Sequence, residues 1–268
     1  MSDDRPIGIF DSGVGGLTVL RTVQEALPNE STIFIGDLAR CPYGTRPQRQ
    51  VAGFARQIGE YLALQNIKLL IIACNTATAA AYADLAGHFP FPVIGVIDPG
   101  AQAAVAATRN GKIGVIATNG TVASGAYTAS IHRYLAEASV YERPASWLVT
   151  LIERGSLARP QVERGLEPTL AELDSRGVDT LILGCTHFPL VRDIFRAGVG
   201  EGITILDSGS TTAREVSTVI QESGLESDTV ATHRLLVTGP PAAFAATAQA
   251  MFRASPVIET VEVLAVAG

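Results

Sequence analysis

The chain has 268 residues, 47% of them hydrophobic, and a net charge of −6. That supplies one large or two smaller cores and argues against disorder, while an acidic balance without a basic cluster argues against nucleic acid or anionic membrane as partners. No apolar run approaches the ~20 residues that cross a bilayer, three cysteines cannot make a disulfide framework, and the opening MSDDRPIGIF has no signal-peptide pattern, so a cytoplasmic protein with free thiols is expected.

In chain order, the first strand-like run is IGIF (7–10), which ends at the polar turn Asp11-Ser12-Gly13. TIFIG (32–36) follows, then a helix-like stretch at 47–65. KLLIIA (68–73) ends at Cys74-Asn75-Thr76 and turns alanine-rich. PVIGV (92–96) and KIGVIA (112–117) come next, the second ending at Thr118-Asn119-Gly120-Thr121 and a helical stretch at 121–137. A further helical stretch, 159–176, precedes DTLILG (179–184), which ends at Cys185-Thr186-His187. ITIL (203–206), RLLVTG (234–239) and a last edge strand in VIETVEVL (257–264) complete the series. Near-continuous apolar strands alternating with helices predict α/β layers with mainly parallel sheets. Thr76 and Thr186 supply helix-start chemistry after their strands.

Two halves echo each other. IGIFDSGVGG is laid out like IGVIATNGTV at 113–122, and LLIIACNTA like LILGCTHFP. Ile7 precedes Cys74 by 67 residues and Ile113 precedes Cys185 by 72, as two related α/β halves would give. Ligands of doubly wound sheets bind beyond the carboxyl ends of the strands. The four polar turns can therefore line one cleft.

Cys74 and Cys185 fall at predicted helix N-termini, where the dipole and free N–H groups favour a thiolate. One inert buried cysteine is ordinary; two on matching turns point to chemistry. Asp11, Ser12 and His187 are placed to orient or deprotonate them. Cys41 follows no apolar strand and reads as incidental. DSGVGG is neither a dinucleotide nor a P-loop motif. The histidines are scattered without metal-ligand spacing, so no metal is expected.

The stretches IGIFDSGVGGLTVL, GDLARCPYG, ACNTATA, IGVIATNGTV and LGCTHFPL together resemble the cofactor-independent aspartate/glutamate racemase family, its glutamate racemases above all, from about residue 6 to about residue 220. The resemblance implies two similar doubly wound α/β domains, 1–98 plus 207–268 and 99–206, with the active site at their interface and hinges at Pro99-Gly100 and Ser208-Gly209. It implies racemisation of glutamate without a cofactor, for peptidoglycan synthesis, in a cytoplasmic homodimer. Cys74 and Cys185 would be the two acid/base groups, assisted by Asp11 and His187. Asp11, Ser12, Tyr43, Gly44, Asn75, Thr76, Thr121, Thr186 and His187 would hold the substrate, and Glu153 would stand near the second cysteine. A relative acting on aspartate, hydantoins or a malonate-type acid is one alternative, and a non-catalytic binding protein on the same scaffold is another.

Overall fold

The computed structural model describes residues 2–153, 159–252 and 256–262. The first half runs β1 (Ile7–Asp11), α1 (Leu17–Ala26), β2 (Thr32–Gly36), α2 (Gln48–Ala63), β3 (Leu69–Ile72), α3 (Asn75–His88), β4 (Val93–Gly95) and α4 (Ile97–Ala107). The second runs β5 (Lys112–Ala117), α5 (Asn119–Ser124), α6 (Ala126–Tyr134), β6 (Ser139–Pro144), α7 (Ser146–Glu153), α8 (Arg159–Ser175), β7 (Thr180–Gly184), α9 (Arg192–Val199) and β8 (Thr204–Asp207). The chain then returns through α10 (Ser208–Ser223), β9 (His233–Val237), α11 (Ala242–Phe252) and β10 (Ile258–Thr260).

These strands form two parallel sheets, ordered β10-β9-β2-β1-β3-β4 and β6-β5-β7-β8. Within the first, β2-β1-β3-β4 repeats the order β6-β5-β7-β8 of the second. The internal echo is thus a repeat of topology. Cys74 and Cys185 follow the equivalent strands β3 and β7, and Asp11 ends β1 just as Thr118 follows β5.

Both faces of each sheet are covered, which is why the strands are apolar throughout. Ile7, Ile9, Leu69 and Ile71 pack on one side of the first sheet with Leu20 of α1 and Val216 of α10. Phe10, Leu70 and Ile72 pack on the other with Ile58 of α2 and Leu85 of α3. In the second sheet Leu181 and Leu183 face Leu166 of α8 and Phe195 of α9. Ile113, Val115 and Ile182 face Ala101 of α4 and Ile131 of α6.

Two features differ from the expectation. The single helix at 121–137 is two, because Gly125 takes φ +64° and ends α5 there. SVYERP carries no strand signal, and its half-exposed polar residues hide β6 at the edge of the second sheet. Pro99-Gly100 and Ser208-Gly209, the expected hinge points, lie in the first turns of α4 and α10. The last strand is the short β10 on the edge of the first sheet, and the end of its predicted range, 263–264, lies outside the described residues.

Candidate active site

The carboxyl ends of β1, β3, β5 and β7 converge between the two domains. β1 ends in buried Asp11, whose Oδ2 accepts from the N–H groups of Gly16 at 2.8 Å and Gly13 at 3.3 Å. Thr186 Oγ1 of the other domain stands 3.5 Å from both carboxylate oxygens. Burial pushes the Asp11 carboxyl up, and the positive His187 and the two N–H groups offset only part of that rise.

Gly13 and Gly15 of DSGVGG make room for side chains of the opposite domain. A Cβ on Gly15 would lie 2.4 Å from His187 Nδ1, and one on Gly13 2.2 Å from Glu153 Oε1. The motif needs no phosphate to explain it.

Cys74 is the N-cap residue of α3, with an extended backbone (φ −89°, ψ 121°). Thr76, expected to start that helix, instead lies in its first turn, and its Oγ1 bonds Thr118 Oγ1 at 2.8 Å. Cys74 Sγ donates to Ser12 Oγ at 3.8 Å. Burial and the neighbouring Asp11 charge push this thiol well above its usual range, and the N–H of Ala77 and the Ser12 contact fail to reverse that. The expected lowering of Cys74 by its helix terminus is therefore overturned: desolvation of the thiolate outweighs the dipole.

Cys185 does not start an α-helix. Phe188 N–H donates to Cys185 O at 3.1 Å and Leu190 N–H to His187 O at 3.1 Å, the i to i+3 pattern of a tight turn. Pro189 causes this, because it has no N–H to give Cys185 O in an α-helical turn. The tight turn carries His187 back over the thiol, with Nδ1 3.7 Å from Cys185 Sγ. His187 Nε2 meets Glu153 Oε1 at 2.5 Å. Burial disfavours the imidazolium, but the bonds to Cys185 and Glu153 together raise His187 well above its ordinary value. Burial acts to raise Glu153, the last residue of α7, but the His187 bond and charge and the Val14 N–H at 3.2 Å hold it below the usual carboxylate range.

The space at the centre, lined by Ser12, Cys74, Thr76, Thr118, Cys185 and His187 among others, amounts to about 10 Å³. That is room for one water. Besides the Thr76–Thr118 and Thr186–Asp11 contacts, four further direct bonds close it across the domains. Gly120 N–H donates to Gly44 O at 2.9 Å and Gln48 Nε2 to Gly120 O at 2.8 Å. Val14 N–H donates to Glu153 as above, and Thr18 Oγ1 to Thr186 O at 3.1 Å.

Residues 7–216 match the family described as Asp/Glu/Hydantoin racemase. The chain belongs to that family. This makes it an isomerase, an amino-acid racemase, and within the family its similarities lie with the glutamate racemases. It is 47% identical over 224 residues to the glutamate racemase of Pediococcus pentosaceus, covering 84% of each chain. A glutamate racemase isoform from Bacillus anthracis superposes with a TM-score of 0.93 at 39% identity, over 96% of this chain and 97% of that one. The Francisella tularensis glutamate racemase, solved in complex with D-glutamate, gives 0.90 at 32% identity over 97% and 98%.

In this racemase Asp11, Ser12, Cys74, Asn75, Thr76, Cys185, Thr186 and His187 come together as the sequence reading had them. Tyr43 and Gly44 also line the space, but the Tyr43 hydroxyl is turned away and donates to Asp37. Thr121 stands behind the lining, 3.0 Å from Thr118 Oγ1. Cys41, expected to be incidental, stands beside the site: its Sγ lies 3.7 Å from Glu153 Oε1, and burial pushes its thiol up. The reading missed four contributors, of which Pro42 lines the space beside Tyr43. Thr118, the first residue of a turn it did single out, is the hydroxyl that reaches the space. Asp37 follows a strand directly, a usable signal, and anchors Tyr43 and Arg40. Val149 of α7 lines the space from inside a helix and has no local signature. Among the described residues no helix is long and apolar enough to cross a membrane.

Proposed function

We propose that this racemase interconverts L- and D-glutamate without a cofactor, with Cys74 and Cys185 as acid and base on opposite faces of the α-carbon. The observation that carries this is their placement on equivalent turns, after β3 and β7 of two similarly ordered sheets, facing one small space. Inversion needs a base on one face of a carbon and an acid on the other, and reversibility needs them to exchange roles. The glutamate racemases of P. pentosaceus, B. anthracis and F. tularensis support the choice of glutamate.

The two sulfurs differ in their surroundings. Cys74 is pushed up and faces the Asp11 carboxylate, so it stays a thiol ready to give a proton. Cys185 faces a histidine whose value is raised by its bonds to Cys185 and Glu153. By the family resemblance Cys185 would take the proton from L-glutamate and Cys74 would return one to the other face. D-glutamate would react with the opposite protonation. Asp11 assists Cys74 and His187 assists Cys185. Ser12, Asn75, Thr76, Thr118 and Thr186, with the N–H groups of their turns, would hold the substrate and the carbanion charge. The closed space between the thiols, about 10 Å³, holds no bulk water, and a site that widened only enough for glutamate would keep water from the carbanion. We assign residues 1–98 plus 207–268 to one domain and 99–206 to the other, and D-glutamate for peptidoglycan as the purpose.

The test is incubation of the protein in D2O with L-glutamate, D-glutamate and, in parallel, both aspartates, reading enantiomers and α-deuterium. Glutamate inverts from both directions with deuterium in the product. Cys74→Ser and Cys185→Ser each abolish this, whereas Cys41→Ser retains it. Inversion of aspartate alone would overturn the substrate, and an active Cys74 or Cys185 variant would overturn the mechanism.

A further inference from the structure

Tyr127 is fully buried in α6, an element that carries none of the groups assigned above. Its hydroxyl donates to Asn75 Oδ1 at 2.7 Å, and Asn75 Nδ2 in turn donates to Ser208 Oγ at 3.2 Å. Its ring lies against Gly184, where a Cβ would come 2.9 Å from Tyr127 Cε2. Asn75 is the residue after Cys74, and Gly184 is the residue before Cys185. One rigid side chain thus reaches from the turn that bears one thiol to the turn that bears the other.

The ring alone has an ordinary explanation, since it packs with Ile97, Ala101 and Ile131 between α4 and the second sheet. A phenylalanine would fill that role. The hydroxyl is a further feature, bonded to the first residue of α3 in the opposite domain. Burial keeps it a neutral phenol and therefore a fixed donor.

We propose that Tyr127 is a positioning residue for racemisation, its ring seating the Cys185 turn and its hydroxyl the Cys74 turn so that both sulfurs reach one carbon. This rests on the two-thiol reading above. Proton transfer at both faces requires both sulfurs within reach of one carbon, and a misplacement of ~1 Å costs about 10²-fold in rate. A reaction that needs only one sulfur escapes that requirement. Glutamate carrying chloride on its β-carbon provides one. A thiolate removes the α-proton, chloride leaves with the C–Cl electron pair, and water hydrolyses the resulting enamine to 2-oxoglutarate and ammonia.

The experiment compares wild type, Tyr127→Phe and Gly184→Ala on both reactions at saturating substrate, with thermal unfolding recorded for each. In Tyr127→Phe, kcat for racemisation falls about tenfold while kcat for elimination stays within about twofold. Gly184→Ala, which pushes the ring from the other side, shows the same split. Equal losses in both reactions would make Tyr127 a packing residue and overturn the proposal. Unchanged racemisation would overturn it too and leave the two-thiol mechanism standing. Failure of the wild type to racemise glutamate would instead remove the reading beneath it.

Discussion

Replacing Glu153 by Gln removes one charge from the Glu153–His187–Cys185 chain and keeps its shape. The Nε2–Oε1 separation is 2.5 Å, with His187 2% exposed and Glu153 20%. Bonds to charged groups contribute ~1.5–3 kcal/mol, and the partial exposure of Glu153 argues for about 2. The His187 titration should therefore move down, because burial then acts against a weaker opposing pull. The sign for stability follows from both partners. His187 is raised above 6.5, so its contribution is present below 6.5 and is lost as pH rises through its folded value. Glu153 is lowered below 4.5, so its contribution is present above 4.5 and is lost as pH falls through its folded value. Glu153→Gln therefore destabilises most between those two limits, by about 5 °C in Tm near pH 6, and the gap narrows on either side. NMR titration of the histidine Cε1 protons, with His187 assigned through His187→Asn, gives the pKa directly. A racemisation rate lowered about tenfold should accompany it. A His187 titration left where it stands in the wild type would refute the idea that Glu153 holds the imidazolium.

Gly15→Ala should abolish racemisation with the fold retained, because its Cβ would come 2.4 Å from His187 Nδ1 and 2.6 Å from Thr186 Oγ1; unchanged kinetics would mean that His187 can sit elsewhere. Far from the site, buried Lys68 meets Glu30 Oε2 at 2.5 Å and donates to Leu225 O at 2.6 Å. Lys68→Met should cost about 3–5 kcal/mol in denaturant unfolding, since it strands a buried carboxylate, and should leave kcat unchanged in protein that is still folded.

Much of the fold was legible because each parallel strand is apolar on both faces and stops at a polar turn. β3 with Cys74 and β7 with Cys185 could be paired by eye for that reason. β6 escaped because an edge strand with half-exposed Tyr141 and Glu142 carries little apolar signal. The break at Gly125 escaped because one glycine in a helical pattern is ambiguous until its positive φ is known. At the site, residues on the strand-end turns could be found. Val149 and Tyr127 could not, since they sit within helices and only the packing of α7 and α6 brings them in. The thiol chemistry was misjudged at Cys74 for a related reason. A helix terminus can be read from local sequence, but its desolvation depends on the opposite domain.

The closed centre has a consequence for affinity. With space for one water, the structure is a closed state that neither admits substrate nor has room for it. Admission requires parting some of the four bonds that join Gly44, Gln48, Val14 and Thr18 to the facing domain. Parting two of them costs ~2 kcal/mol, so roughly one molecule in thirty stands open at any moment. Whatever the open cleft's own attraction for its ligand, capture from solution proceeds through that minority, at a rate about thirtyfold below that of a permanently open cleft. The same bonds re-form over the bound ligand and slow its escape. The contacts that close the space thereby also set how long each captured molecule stays.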